Sequence, residues 1–297
     1  MNQGMIFGYG RTVLLSGLLI SGIGFLNFHF LLAVDVTLPM LLLPFLVGGA
    51  FGGLIHHINI LRENGERAER MLSDALKASD RLLAASMPKT IIARLKAGER
   101  PIIDRVAGVQ ILFIDIVGFT AMADRTEVTE VAHSLDTIFR TFERVCHTHQ
   151  VRKLKTVGDA FVAVHGIDQA TKAQDERLAR AALDILRVSK GLTLPDGATL
   201  EMRMGLHVGT VVIGVLGDDV PTFDMWGDAV NTASRLEGTG MPGKVSCSSA
   251  IHDLLETRFE FELFGSCEMK GKGELDVWHL VAERPREARP SVHECAL

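Results

Sequence analysis

The stretch Val109–Thr120, VQILFIDIVGFT, constrains this chain most. From Val109 to Ile114 it is an almost unbroken apolar run, rich in β-branched residues and interrupted only by Gln110. Such a run predicts a buried central strand. At its end stands Asp115, followed by a Gly–Phe–Thr turn. A carboxylate directly after a buried strand is costly unless something pairs it, and a metal ion is a common partner. Taken alone, the same Asp fits a helix N-cap or a turn equally well.

A second carboxylate tips the balance. In KTVGDAFVAVH, Asp159 sits in a Gly–Asp turn between two β-prone runs, Leu154–Val157 and Ala160–Val164. That pattern predicts a hairpin. Packed beside the first strand, the hairpin would bring Asp159 close to Asp115. Two carboxylates at one point repel unless cations lie between them, and paired Mg²⁺ on paired Asp suits phosphoryl chemistry.

Around these motifs strands and helices alternate. Val131, Leu135, Ile138, Phe142 and Val145 recur at helical steps, as do Leu178, Ala181, Ile185 and Leu186. Leu200–Val208 alternates, with Arg203 on the polar side, and a further apolar run, Val211–Leu216, lies between Gly209 and Gly217. A helix after Trp226 puts Asn231 and Arg235 on one face. The pattern predicts an α+β sandwich.

The N-terminal part reads differently. Neither Thr12–Val34 nor Val36–Leu61 contains Asp, Glu, Lys or Arg, and each is long enough to span a bilayer core of about 30 Å. The short link near Asp35–Thr37 makes them a two-helix transmembrane hairpin. Arg11 before it and Arg62, Arg67 and Arg70 after it place both ends in the cytoplasm. Asn27 and His29 lie inside the first span, where they fit interhelical hydrogen bonding better than a ligand or sensing site. Pro39 and Pro44 mark the entry and a kink of the second. Leu61–Ala85 then carries a weak, alanine-rich heptad seam: Leu61, Ala68, Ala75 and Leu82, with Met71, Ala78 and Ala85. Ser86–Pro88 reads as the cap of a short helix, Lys89–Lys96, ended by Gly98. Composition excludes other classes. A net charge of −5, with two Trp and one Tyr, gives no basic or aromatic platform for nucleic acid. The four scattered cysteines lack metal-ligand spacing and read as reduced thiols.

FIDIVGFT, KTVGDAF, MRMGLHVG, FDMWGDAVNTASR and MKGKG, in that order, resemble the catalytic domain of the class III nucleotidyl cyclases. The resemblance covers residues 106–282 and implies a ferredoxin-like core. It divides the chain into a membrane region (1–60), a helical signalling connector (61–105), the catalytic domain and a C-terminal tail (283–297). It implies that Asp115 and Asp159, with the Ile116 carbonyl, hold two divalent metals, Mg²⁺ or Mn²⁺. Arg203 and Lys270 would contact the phosphates. Asn231 would position the ribose, and Arg235 would stabilise charge at the α-phosphate. Lys155 and Asp224 stand at the two base-reading positions, where a donor and an acceptor match adenine and guanine would need the reverse.

The implied function is a membrane-anchored adenylate cyclase, converting ATP to 3′,5′-cyclic AMP and pyrophosphate. A guanylate cyclase and a silent cyclase-fold sensor are the alternatives. With a single catalytic domain bearing both residue sets, the resemblance implies a homodimer with two equivalent sites. The expected location is the inner (plasma) membrane, multi-pass, in contact with membrane lipid and open to an unidentified membrane or ligand input.

Overall fold

The computed structural model describes residues 38–167, 175–269 and 273–285. The chain divides into two compact units, 1–81 and 82–297. In the first, the described residues belong to one helix, α1 (Leu38–Ser86), which continues into the second unit. The described part of the second uncharged run and the heptad segment Leu61–Ala85 are therefore one continuous helix, with Pro39 in its first turn and Pro44 inside it. It contains a window long and apolar enough to cross a membrane, with none of that window buried. Leu43, Leu46 and Phe51 are all exposed. The first uncharged run, with Asn27 and His29, lies outside the described residues. Beyond Leu61 the helix carries exposed ion pairs four residues apart, Arg62–Glu66 and Glu63–Arg67, each at 3.3 Å. Such pairs contribute only tenths of a kcal/mol each. The seam residues Leu61, Met71 and Leu82 are exposed as well.

In the second unit α2 (Lys89–Lys96) forms where the sequence predicts it, but Ser86 does not cap it. The Ser86 hydroxyl donates back to the Leu83 carbonyl at 2.9 Å, and Pro88 takes the N-cap position. The short helix α3 (Phe119–Ala123) and α4 (Val128–Thr148), α5 (Arg177–Ser189), α6 (Asp228–Gly238) and α7 (Ser249–Leu255) follow. The strands are β1 (Ile102–Ile116), β2 (Arg152–Val157), β3 (Ala160–His165), β4 (Met202–Leu216), β5 (Thr222–Trp226), β6 (Lys244–Ser248), β7 (Phe259–Met269) and β8 (Gly273–Glu283). Their order is β2-β3-β1-β4-β6-β8-β7, with β5 on β4. β4 and β6 run parallel; the other pairings are antiparallel. The sheet is mixed and the class α+β, as expected.

Two cores lie on opposite faces of this sheet. Leu112, Ile114, Met202, Met204 and Leu206 join Phe142, Leu178, Ile185 and Ile251 from α4, α5 and α7. Ile111, Val211 and Ile213 join Ile91 of α2 and Ala229 and Ala233 of α6. The two apolar runs expected around Gly209 are one strand, β4. Its buried residues change parity there, from Met202, Met204 and Leu206 to Val211, Ile213 and Val215. Opposite this change, β1 shifts register between Val106 and Val109. A bulge of this kind bends and twists a strand pair, so the β1–β4–β5 ribbon curls. Arg100 meets its far end, donating to the Gly217 carbonyl at 2.9 Å.

Gly205 and Gly209 set how closely α6 rides on β4. A Cβ at Gly205 would lie 2.2 Å from the Ala233 carbonyl oxygen and 2.3 Å from the Glu237 nitrogen. One at Gly209 would lie 2.7 Å from the Ala229 Cβ. Gly205→Ala should therefore cost about 3 kcal/mol in stability through overpacking. Gly238→Ala, at the open end of the same helix, should be neutral or slightly stabilising. Denaturant midpoints of the two variants check this; equal midpoints would show that the close approach is not a constraint.

Candidate active site

The strand and the hairpin deliver their carboxylates to one place. Asp115 lies near the end of β1, directly opposite Arg203 of β4 in the register. Gly118, with φ 72°, makes the turn into α3 that ends the buried strand. In the hairpin Val157 pairs with Ala160, leaving Gly158 and Asp159 as a two-residue loop. Gly158 has φ 61°, the conformation that a type II′ turn needs at its first central residue. Burial first, and then the charge of Asp115, pushes the Asp159 carboxyl above its usual range. Both effects mean that two acidic side chains share a partly dehydrated space.

Arg203 answers that charge within the chain. Its Nη2 donates to Asp115 Oδ2 at 2.6 Å. This contact, more than any other, holds the guanidinium charged. Alternation puts Arg203 on the polar side of β4, and the family resemblance implies a phosphate contact; within this chain it bonds to the carboxylate across the strand pair. On its other side lies a residue that the sequence reading missed. Glu237, in the last turn of α6, places Oε1 3.5 Å from Arg203 Nε. Both atoms are buried and neither has a hydrogen-bond partner. Burial, and then Asp115, pushes the Glu237 carboxyl up to about 7, with Arg203 opposing. No local pattern marks Glu237 in the sequence, because what singles it out is its tertiary surroundings.

The two residues expected to read the base, Lys155 and Asp224, also meet. Lys155 Nζ on β2 donates to both oxygens of Asp224 on β5, each at 2.7 Å. The Met225 N–H donates to Asp224 Oδ1 at 2.8 Å and fixes its orientation. In a flat sheet β2 and β5 would stand four strand spacings apart, about 19 Å. The contact exists because the ribbon curls.

Asn231 and Arg235 project from the outer face of α6, whose buried face is Ala229, Thr232, Ala233 and Leu236. At about 100° per residue, Arg235 points about 160° away from Glu237. The residue beside the carboxylates and the Asn231–Arg235 pair thus face opposite ways. Ile116 follows Asp115 with its side chain buried, so it can offer only backbone. Lys270 lies outside the described residues. A cleft of about 470 Å³ beside Gly118, lined by Met122, Arg125, Glu127 and Glu130, contains none of the expected site residues.

Among the described residues, no group of three or more His, Cys, Asp or Glu side chains is arranged to hold a metal. Two adjacent carboxylates fit Mg²⁺ chemistry all the same, because Mg²⁺ commonly takes one or two carboxylates and completes its shell with phosphates and water. The raised Glu237 carboxyl has a measurable consequence. Its native form binds a proton more readily than the unfolded chain does. Its contribution to stability is therefore full below about pH 4.5 and is lost as pH rises through about 7. Glu237→Gln should stabilise the chelator-treated protein at pH 8 by up to about 3 kcal/mol, with the gain vanishing near pH 4.5. Thermal unfolding at the two pH values checks this; an equal shift at both would refute it.

Comparison with known proteins identifies the domain. A family model for the adenylate and guanylate cyclase catalytic domain matches residues 103–282. An adenylate cyclase of Mycobacterium tuberculosis is 35% identical over 219 residues, 73% of this chain and 49% of that protein. The guanylate cyclase soluble subunit beta-2 of Rattus norvegicus is 34% identical over 218 residues, 71% of this chain and 32% of that protein. The chain thus spans half or less of these curated relatives. The crystal structure of the guanylate cyclase domain of RhGC from Catenaria anguillulae, in complex with GTP, is 30% identical with a TM-score of 0.59. The match covers 61% of this chain and 100% of that one. With this match over most of the mixed sheet and its paired carboxylates, the chain belongs to the adenylate and guanylate cyclase catalytic domain family, the class III nucleotidyl cyclases.

Proposed function

We propose that the chain is an adenylate cyclase, forming 3′,5′-cyclic AMP and pyrophosphate from ATP at sites shared by two copies. The observation that carries the choice of ATP is the contact of Lys155 with both oxygens of Asp224. An ammonium has three N–H donors. Two are engaged with Asp224, which leaves one for adenine N1, while the carboxylate has lone pairs left for the 6-amino group. Guanine presents an acceptor and a donor in the reversed order and would leave both groups mismatched, a loss of several kcal/mol, about 4.

Asp115, Asp159 and the Ile116 carbonyl would hold two divalent cations, Mg²⁺ or Mn²⁺. When bound, these would lower the pKa of the ribose 3′-hydroxyl and balance the triphosphate charge. Arg203 and Lys270 grip the phosphates. Asn231 orients the ribose for in-line attack of the 3′-oxygen on the α-phosphate. Arg235 stabilises the charge developing there. Because Arg235 and Glu237 point opposite ways on α6, Arg235 serves a second copy's carboxylates rather than its own. Residues 106–282 form the catalytic domain, 61–105 the signalling connector and 283–297 a tail. Residues 1–60 hold two spans, with the catalytic domain on the cytoplasmic side of the inner membrane, so membrane lipid and an input through the spans are the remaining partners. The apolar window of α1 supports the second of these spans.

Two experiments test this reading. Lys155→Glu with Asp224→Cys should raise the GTP/ATP turnover ratio by at least about tenfold. An unchanged ratio in an active variant would remove these residues from base recognition. Asp115→Ala and Arg235→Ala should each be inactive alone. Co-expressed, they should recover up to about a quarter of wild-type cyclic AMP formation, since about half the dimers are mixed and each has one intact site. No recovery, with mixed dimers shown to form, would place both residues in one site of one chain.

A further inference from the structure

Arg203 stands between two carboxylates and satisfies only one of them. Its Nη2 is bonded to Asp115 at 2.6 Å, while its Nε is buried without a hydrogen-bond partner. Glu237 Oε1 lies 3.5 Å from that nitrogen, also buried and without one. Two buried atoms, one of a partly exposed guanidinium and one of a largely buried carboxyl, thus face each other just beyond ordinary hydrogen-bond length. The position of Glu237 is fixed, because its backbone nitrogen sits against Gly205 of β4 with no room for a Cβ between them.

We propose that Glu237 is a positioning residue that provides a second seat for the Arg203 guanidinium once Asp115 is given over to a divalent cation. This rests on the two-metal reading above. A guanidinium on Asp115 and a cation on the same carboxylate would be neighbouring like charges, so metal uptake must release Arg203. Glu237 receives it: a small rotation closes the 3.5 Å gap and satisfies both orphaned atoms. The Nη groups that leave Asp115 are then free to face the triphosphate. Glu237 touches neither metal nor substrate in this scheme; it acts through Arg203.

The test is a double-mutant cycle on the full chain in detergent, with Mn²⁺ alone as the probe and free Mn²⁺ counted by electron paramagnetic resonance without nucleotide. Glu237→Gln should weaken Mn²⁺ binding about fivefold. Arg203→Gln should tighten it, because the competing cation is gone. The double variant should match Arg203→Gln within about twofold. At saturating Mn²⁺, Glu237→Gln should raise KM for ATP about fivefold and leave kcat within about twofold. An equal loss of Mn²⁺ affinity in both backgrounds, or none in either, would overturn the proposal. So would an Arg203→Gln variant with unchanged or weaker Mn²⁺ binding, which is decisive even if the Glu237 variant fails to fold. A wild-type chain that takes up no Mn²⁺ would overturn the two-metal reading itself, and the proposal with it.

Discussion

A carboxylate at the end of a strand buried on both faces is the constraint on which this domain depends. Asp115 cannot sit there unbalanced, and the chain balances it with the side chain directly across the sheet, Arg203. That choice reaches further. An arginine on β4 needs room beside α6, and α6 is drawn close to β4 by two glycines, Gly205 and Gly209. The same helix then presents Glu237 to the arginine from one side and Asn231 and Arg235 to the outside from another. One electrostatic requirement thus ties together β1, β4 and the orientation of α6.

Much of this was legible in the residues. Periodicity located α4, α5 and the two halves of β4, and the Gly–Asp turn located the β2–β3 hairpin. The joining of Asp115 with Asp159 followed from the hairpin lying beside β1, which it does through β3. Lys155 and Asp224 were identified only through the family resemblance, and nothing in local pattern shows that β2 and β5 meet. Glu237 escaped notice because a glutamate near a helix end reads as an ordinary exposed residue. Its importance comes from burial, a tertiary property. The joining of two apolar runs into one β4 was hidden for a related reason: the buried face changes at Gly209, and a fixed period of two cannot follow such a change.

The connector shows where local chemistry prevailed over expected punctuation. Pro44 lies inside α1, and the helix still runs without interruption from Leu38 to Ser86. The helical propensity of the charged segment after Leu61, aided by its four-residue ion pairs, extends the apolar segment without a break. The stop comes at Ser86, ahead of Pro88, whose ring disfavours the helical conformation in the residue before it and whose own backbone is extended, ψ 145°, as the N-cap of α2.

The curl of the β1–β4–β5 ribbon has a consequence for how nucleotide preference can change over time. The two side chains that would meet the purine are separated by 69 residues and meet only across an arc of sheet. Selectivity on this fold is then a matter of curvature as much as of side-chain identity. A mutation that flattens the arc, at the register shift near Val106 or at Gly209, would part the pair without touching either member. Lineages could drift in base preference through silent-looking changes in the hinge of a ribbon. The adenine-type and guanine-type side chains would then be the last substitutions to be fixed rather than the first.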